Sequence, residues 1–113
     1  MSRDPLHRLE DVLVAVSAIE DHLSRGDLDD GLVFDAVRMR LVEIGEAVKD
    51  LPADLLATET GVPWREVTGM RDRLAHRCFD TTHAVVRATV DSELPALRAA
   101  VERLMSTADP SGA

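Results

Sequence analysis

The sequence predicts an all-α protein, an antiparallel bundle of four to five helices, and three observations lead there. Apolar residues recur at steps of three and four along most of the 113-residue chain, the period of a helix with one buried face. Aromatic residues, which sheets favour, are limited to Phe34, Trp64 and Phe79, with no tyrosine, while Leu, Val and Ala abound. The breaks between apolar stripes are short, as in bundles whose successive helices run antiparallel.

Each element has its own start and stop signals. Asp4 followed by Pro5 is a helix opening, a capping carboxylate ahead of a proline at the first helical position. From there Leu6, Leu9, Val12, Leu13, Val16, Ile19 and Leu23 define helix one, which is expected to end near Arg25-Gly26. After the acidic turn Gly26 to Gly31, the residues Phe34, Val37, Leu41, Ile44, Val48 and Leu51 give a second helix reaching Pro52. Pro52, Gly61 and Pro63 mark a loop with room for one helical turn at Ala53 to Ala57. Pro63-Trp64 opens a third helix with the stripe Trp64, Val67, Arg71, Leu74 and Cys78, which places an arginine on an apolar face. Asp80, Thr81 or Thr82 can cap the next helix, whose stripe is Val86, Val90, Leu94, Leu97, Val101 and Leu104. Pro95 either kinks it or marks the first turn of another helix.

One domain over residues 1–105 is expected, followed by a disordered tail at 106–113 with Ser, Pro and Gly composition. The lone Cys78 has no internal disulfide partner, the charged N-terminus lacks a signal peptide's apolar stretch, and no apolar run approaches a membrane span. A cytoplasmic location without membrane contact is the corresponding expectation. The net charge of −8 argues against a general nucleic-acid binder, but it is unevenly distributed. Residues 1–60 carry −8, residues 61–80 carry +1 and residues 81–113 carry −1. The positive window holds Arg65, Arg71, Arg73 and Arg77, either a small cationic patch suited to RNA or an ordinary solvated helix face.

His7, His22, His76, His83 and Cys78 show no metal-binding helix spacing, so no metal and no cofactor is expected. What stands out is Gly69-Met70-Arg71-Asp72-Arg73-Leu74-Ala75-His76. Five residues along a helix place Arg71 and His76 about 140° apart, so one straight helix does not converge both on one atom. Either His76 swings back from a frayed helix end or a second copy of the chain completes the site. Asp72 and His76 are four apart, so the carboxylate can orient the imidazole and favour its charged form. An arginine and a histidine without metal can cleave RNA through its own 2′-hydroxyl: histidine moves the proton, and arginine stabilises charge on phosphorus. A structural role is the alternative, with Arg71 paired to Glu43 or Glu46 and His76 neutralising carbonyls at a helix end. Gly45, costly inside a helix by about 1 kcal/mol, marks a close approach by another helix. Glu46 beside it can support Arg71, and Trp64, leading an apolar stripe, suits the core or a dimer interface better than base stacking.

The pieces Ile44-Gly45-Glu46-Ala47, Pro63-Trp64 and Gly69 to His76, in this order, resemble the HepT family of the HEPN superfamily over about Leu6 to Leu104. The resemblance implies a HEPN-like helical bundle and the ribonuclease toxin of a toxin–antitoxin pair. It implies a homodimer whose two Arg71-Asp72…His76 motifs form a composite, metal-independent site, and a minimal nucleotidyltransferase as the antitoxin. It also implies a tyrosine two residues after the histidine, which the antitoxin adenylylates; here that position is Cys78. The departure leaves a second expectation from a different class, a catalytically silent helical module that partners a nucleotidyltransferase.

Overall fold

A computed structural model describes residues 4–75 and 79–108, and all regular structure among them is helical. Helix α1 (Pro5–Arg25) begins as its sequence dictates, with the Asp4 carboxylate accepting the Leu6 amide at 2.9 Å. Leu9, Val12, Val16 and Ile19 are fully buried along its inner face. Asp27 and Asp30 shape the connection by accepting the amides of Asp29 and Leu32 at 2.9 Å, the second bond capping α2 (Gly31–Lys49). Helix α2 ends at Lys49, before the expected Pro52. Leu51 is nevertheless buried, because the chain turns it inward just past the helix.

Helix α2 packs antiparallel to α1, and Arg8 near the start of one meets Asp50 just past the end of the other at 2.8 Å. A single turn, α3 (Ala53–Leu56), precedes the two short helices α4 (Trp64–Thr68) and α5 (Met70–Leu74). Helix α6 (Phe79–Ala88) leads through a π-helical turn at Thr89–Glu93 into α7 (Leu94–Ala108). Helix α7 lies along α1, where Arg98 reaches Glu20 at 2.6 Å and Ser17 at 3.2 Å. Leu97, Ala100, Val101 and Leu104 carry its side of the core.

Three sequence expectations change. The third helix is interrupted at Gly69, whose ψ of 4° breaks the α-helical repeat between α4 and α5. The segment at Asp80 to Thr82 lies inside α6 rather than before it, and Thr82 is buried. Pro95 falls in the first turn of α7, one of its two expected places, and its missing N–H is accommodated in the preceding turn, where the Leu94 amide donates to Thr89 O five residues back. Helix α7 continues through Ser106 and Thr107, whose hydroxyls donate to the carbonyls of Glu102 and Arg103. That is three residues into the expected tail, and 109–113 lie outside the described residues. None of the described helices is long and apolar enough to cross a membrane.

The loop between α3 and α4 is fastened through Glu59. Its carbonyl accepts the Trp64 indole N–H at 2.9 Å, and its carboxylate receives the Arg103 guanidinium of α7 at 2.7–3.1 Å. Those hydrogen bonds hold the Glu59 carboxyl below the usual carboxylate range and raise the Arg103 value. Because the folded protein binds this proton less tightly than the unfolded chain does, the pair's contribution is complete above the ordinary carboxylate value of about 4.3 and is lost as pH falls below it. The Glu59→Gln variant is therefore expected to lose part of the wild-type decline in melting temperature between about pH 5 and pH 3. Thermal melts across that range, at low and high salt, measure the difference.

Candidate active site

The site is built on α4 and α5, which lie against α2. Val67 of α4 and Met70 and Leu74 of α5 are buried, and this apolar edge turns Arg71 and Asp72 out to solvent. Arg71 is therefore not on the apolar face, as the uninterrupted stripe suggested, because the break at Gly69 makes Met70 the inward residue. Its guanidinium lies 3.3 Å from the Glu46 carboxylate of α2, with the Arg71 side chain 71% exposed. Glu43, the other possible partner, is taken by Arg40 at 3.0 Å. Glu46 also stands on the rim of a groove of about 390 Å³ between α1 and α2, shared with Arg8, Asp11, Val14, Val42 and Glu43.

Gly45 explains how Arg71 comes so near to Glu46. A Cβ at Gly45 would stand 2.8 Å from the Val67 carbonyl oxygen and 3.2 Å from Met70 Cβ, so the backbone between α4 and α5 rests directly on α2. This is the close approach expected from a glycine in mid-helix. Residue 46, one position on, is thereby opposite residue 71. At the far end of α5, Arg38 of α2 donates from Nη1 to the Leu74 carbonyl at 3.0 Å. Sequence reasoning missed Arg38; the available signal was its place seven residues before Gly45, nearly the same side of α2.

Trp64 is half-buried against the core and donates to the Glu59 carbonyl, so its indole fastens a loop. Arg65 is exposed on α4. Arg73 is half-buried, and its Nη1 is shielded from solvent without a hydrogen-bond partner. His76, Arg77 and Cys78 lie outside the described residues, as does the contact expected between Asp72 and His76. His83, considered among possible metal ligands, stacks on Phe34 with ring centres 5.2 Å apart, and its Nε2 lies 3.1 Å from the Leu28 carbonyl. No group of three or more His, Cys, Asp or Glu side chains suited to a metal occurs among the described residues.

The arrangement is a helical bundle that presents a solvent-facing arginine, braced by a carboxylate, at the head of an Arg-Asp…His motif. The model of the family described as ribonuclease HepT-like matches residues 8–104, and the chain belongs to this family of ribonucleases. It is 32% identical over 108 residues to the probable ribonuclease HepT of Thermococcus cleftensis, covering 92% of this chain and 98% of that one. A protein of Caldanaerobacter subterraneus subsp. tengcongensis, named as a candidate RNase, is 39% identical over 62 residues, or 55% of each chain. A Methanocaldococcus jannaschii protein, also named as a candidate RNase, is 28% identical over 107 residues, 91% of this chain and 92% of that one. No solved structure gives a significant match.

Replacing Gly45 by alanine tests the packing beneath the site. Alanine gains about 1 kcal/mol in helix propensity, but its methyl meets a backbone carbonyl that cannot rotate aside, and overpacking of this kind costs about 1–3 kcal/mol. Gly45→Ala is expected to lower stability to urea and to reduce ribonuclease activity by more than its loss of folded fraction. Urea unfolding, set beside activity under native conditions, gives both quantities.

Proposed function

We propose that the chain is a metal-independent endoribonuclease, the toxin of a toxin–antitoxin pair, acting in the cytoplasm as a homodimer with a composite site. The observation that carries this reading is Arg71, exposed on α5 and oriented by Glu46, five residues before His76 in a chain of the HepT-like family. In the proposed reaction the RNA 2′-hydroxyl attacks the adjacent phosphorus and the bond from phosphorus to the 5′-oxygen breaks. One His76 takes the hydroxyl proton and the His76 of the second copy returns a proton to the leaving oxygen, giving a cyclic phosphate and a free 5′-hydroxyl. Arg71 stabilises the charge that grows on the phosphoryl oxygens. Asp72 orients the imidazole, and Arg65, Arg73 and Arg77 hold flanking phosphates.

The second copy is proposed from the family resemblance: a continuous helix would part Arg71 and His76 by about 140°, but α5 ends at Leu74, so helix geometry by itself does not demand it. The partner that silences the toxin is proposed to be a minimal nucleotidyltransferase, and with Cys78 in place of tyrosine it acts by protein contact alone or by modifying another hydroxyl. The same cysteine favours the second reading, a catalytically silent helical module bound to that partner. Incubation with total RNA in EDTA separates the two readings, because the silent module cleaves nothing and does not inhibit growth when expressed alone.

Arg71→Ala and His76→Ala are each expected to reduce cleavage 10²-fold to 10³-fold, about 3–4 kcal/mol of transition-state stabilisation. Circular dichroism of Arg71→Ala should be unchanged, since that side chain is exposed. Light scattering is expected to report twice 12.4 kDa or a multiple of it. A monomer at micromolar concentration overturns the composite site.

A further inference from the structure

We infer that Arg38 is a positioning residue for the reaction, fixing where the chain leaves α5 toward His76. The inference rests on the reading of Arg71 and His76 given above. A helix of five residues has almost no internal means of satisfying its last carbonyls, so its end is defined by whatever it meets. Here the Ala75 amide turns back to the Asp72 carbonyl, and the Leu74 carbonyl takes the Arg38 guanidinium at 3.0 Å, across 36 residues of sequence. This is a charge-assisted bond at the helix end where a cation is electrostatically favoured. Among the described residues Arg38 has no ion pair, so the carbonyl is its defining contact.

The bond completes a two-point grip. Gly45 lies under Met70, the first residue of α5, and Arg38 holds Leu74, the last. The two points are seven residues apart on α2, about 10 Å along its axis. The burial of Met70 and Leu74 seats α5 on the core, and the Arg38 bond adds a directional, polar hold at its last carbonyl. Both together set its direction, and His76 follows only two residues after Leu74. Arg38 is half-buried and its Nη1 is committed to the backbone, so it acts through α5 rather than on RNA.

Four proteins test this: wild type, Arg71→Ala, Arg38→Gln and Arg38→Lys, each assayed for kcat and KM on one RNA in EDTA and for helical content. Glutamine stays polar but is too short to reach the carbonyl, whereas lysine keeps length and a donor. Arg38→Gln is expected to lose about 10-fold to 100-fold in kcat, the scale of a misplacement near 1 Å, with KM within twofold and helicity intact. Arg38→Lys should stay within about threefold of wild type. Wild-type kcat in Arg38→Gln, a change confined to KM, loss of its fold, or a lysine variant as slow as glutamine each overturns the inference. If Arg71→Ala is as active as wild type, the site reading itself falls and takes the role of Arg38 with it. If Arg71→Ala is inactive and Arg38→Gln is not impaired, only the role of Arg38 falls.

Discussion

At Gly45 the link between α4 and α5 comes so near to α2 that a single methyl group would not fit between them, and this contact organises the rest of the site. It sets α5 against α2 in a register that puts Glu46 opposite Arg71 and Arg38 opposite Leu74. Helix α2 is in turn held by the long packing seam with α1, whose Leu9, Val12, Val16 and Ile19 are wholly removed from solvent. The bundle core thus supplies rigidity, and α2 conveys it to two helices too short to hold a shape alone.

The Arg71–Glu46 pair is suited to guiding rather than to stabilising. Both side chains are substantially exposed, and ion pairs of that kind contribute no more than about 1 kcal/mol. A carboxylate at this distance keeps the guanidinium from roaming, yet its hold is weak enough for a phosphate to take its place. On the proposed reading, this guidance reduces the conformational entropy that RNA would have to remove from Arg71 on binding.

Much of the fold was legible because helix boundaries in this chain are written in local chemistry. Asp4-Pro5 at the start of α1, and Gly45 in the middle of α2, each act through steric or hydrogen-bonding rules that operate within a few residues or at one contact. The division at Gly69 was less legible: Trp64, Val67, Arg71 and Leu74 fit one helical period, and only packing against α2 decides that Met70 turns inward in place of Arg71. The π-helical turn before Pro95 was likewise open, since a proline can be accommodated by a kink, a first turn or a widened turn ahead of it. Within the site, Glu46 was foreseeable as a charge partner near Gly45. Arg38 was not, because its partner is a backbone carbonyl, and backbone groups leave no mark in the pattern of side chains.

The division of labour between α2 and the α4–α5 arm also has a consequence for how the protein breathes. The arm rests chiefly on α2 and adds Val67, Met70 and Leu74 to the core, whereas α1 packs along both α2 and α7. Because the arm's two helices are only five residues long, its backbone amides are expected to exchange their hydrogens sooner than those of the α1–α2 seam. Arg71, proposed above as the catalytic arginine, is carried on that arm. Local opening there would displace Arg71 without unfolding the α1–α2 seam.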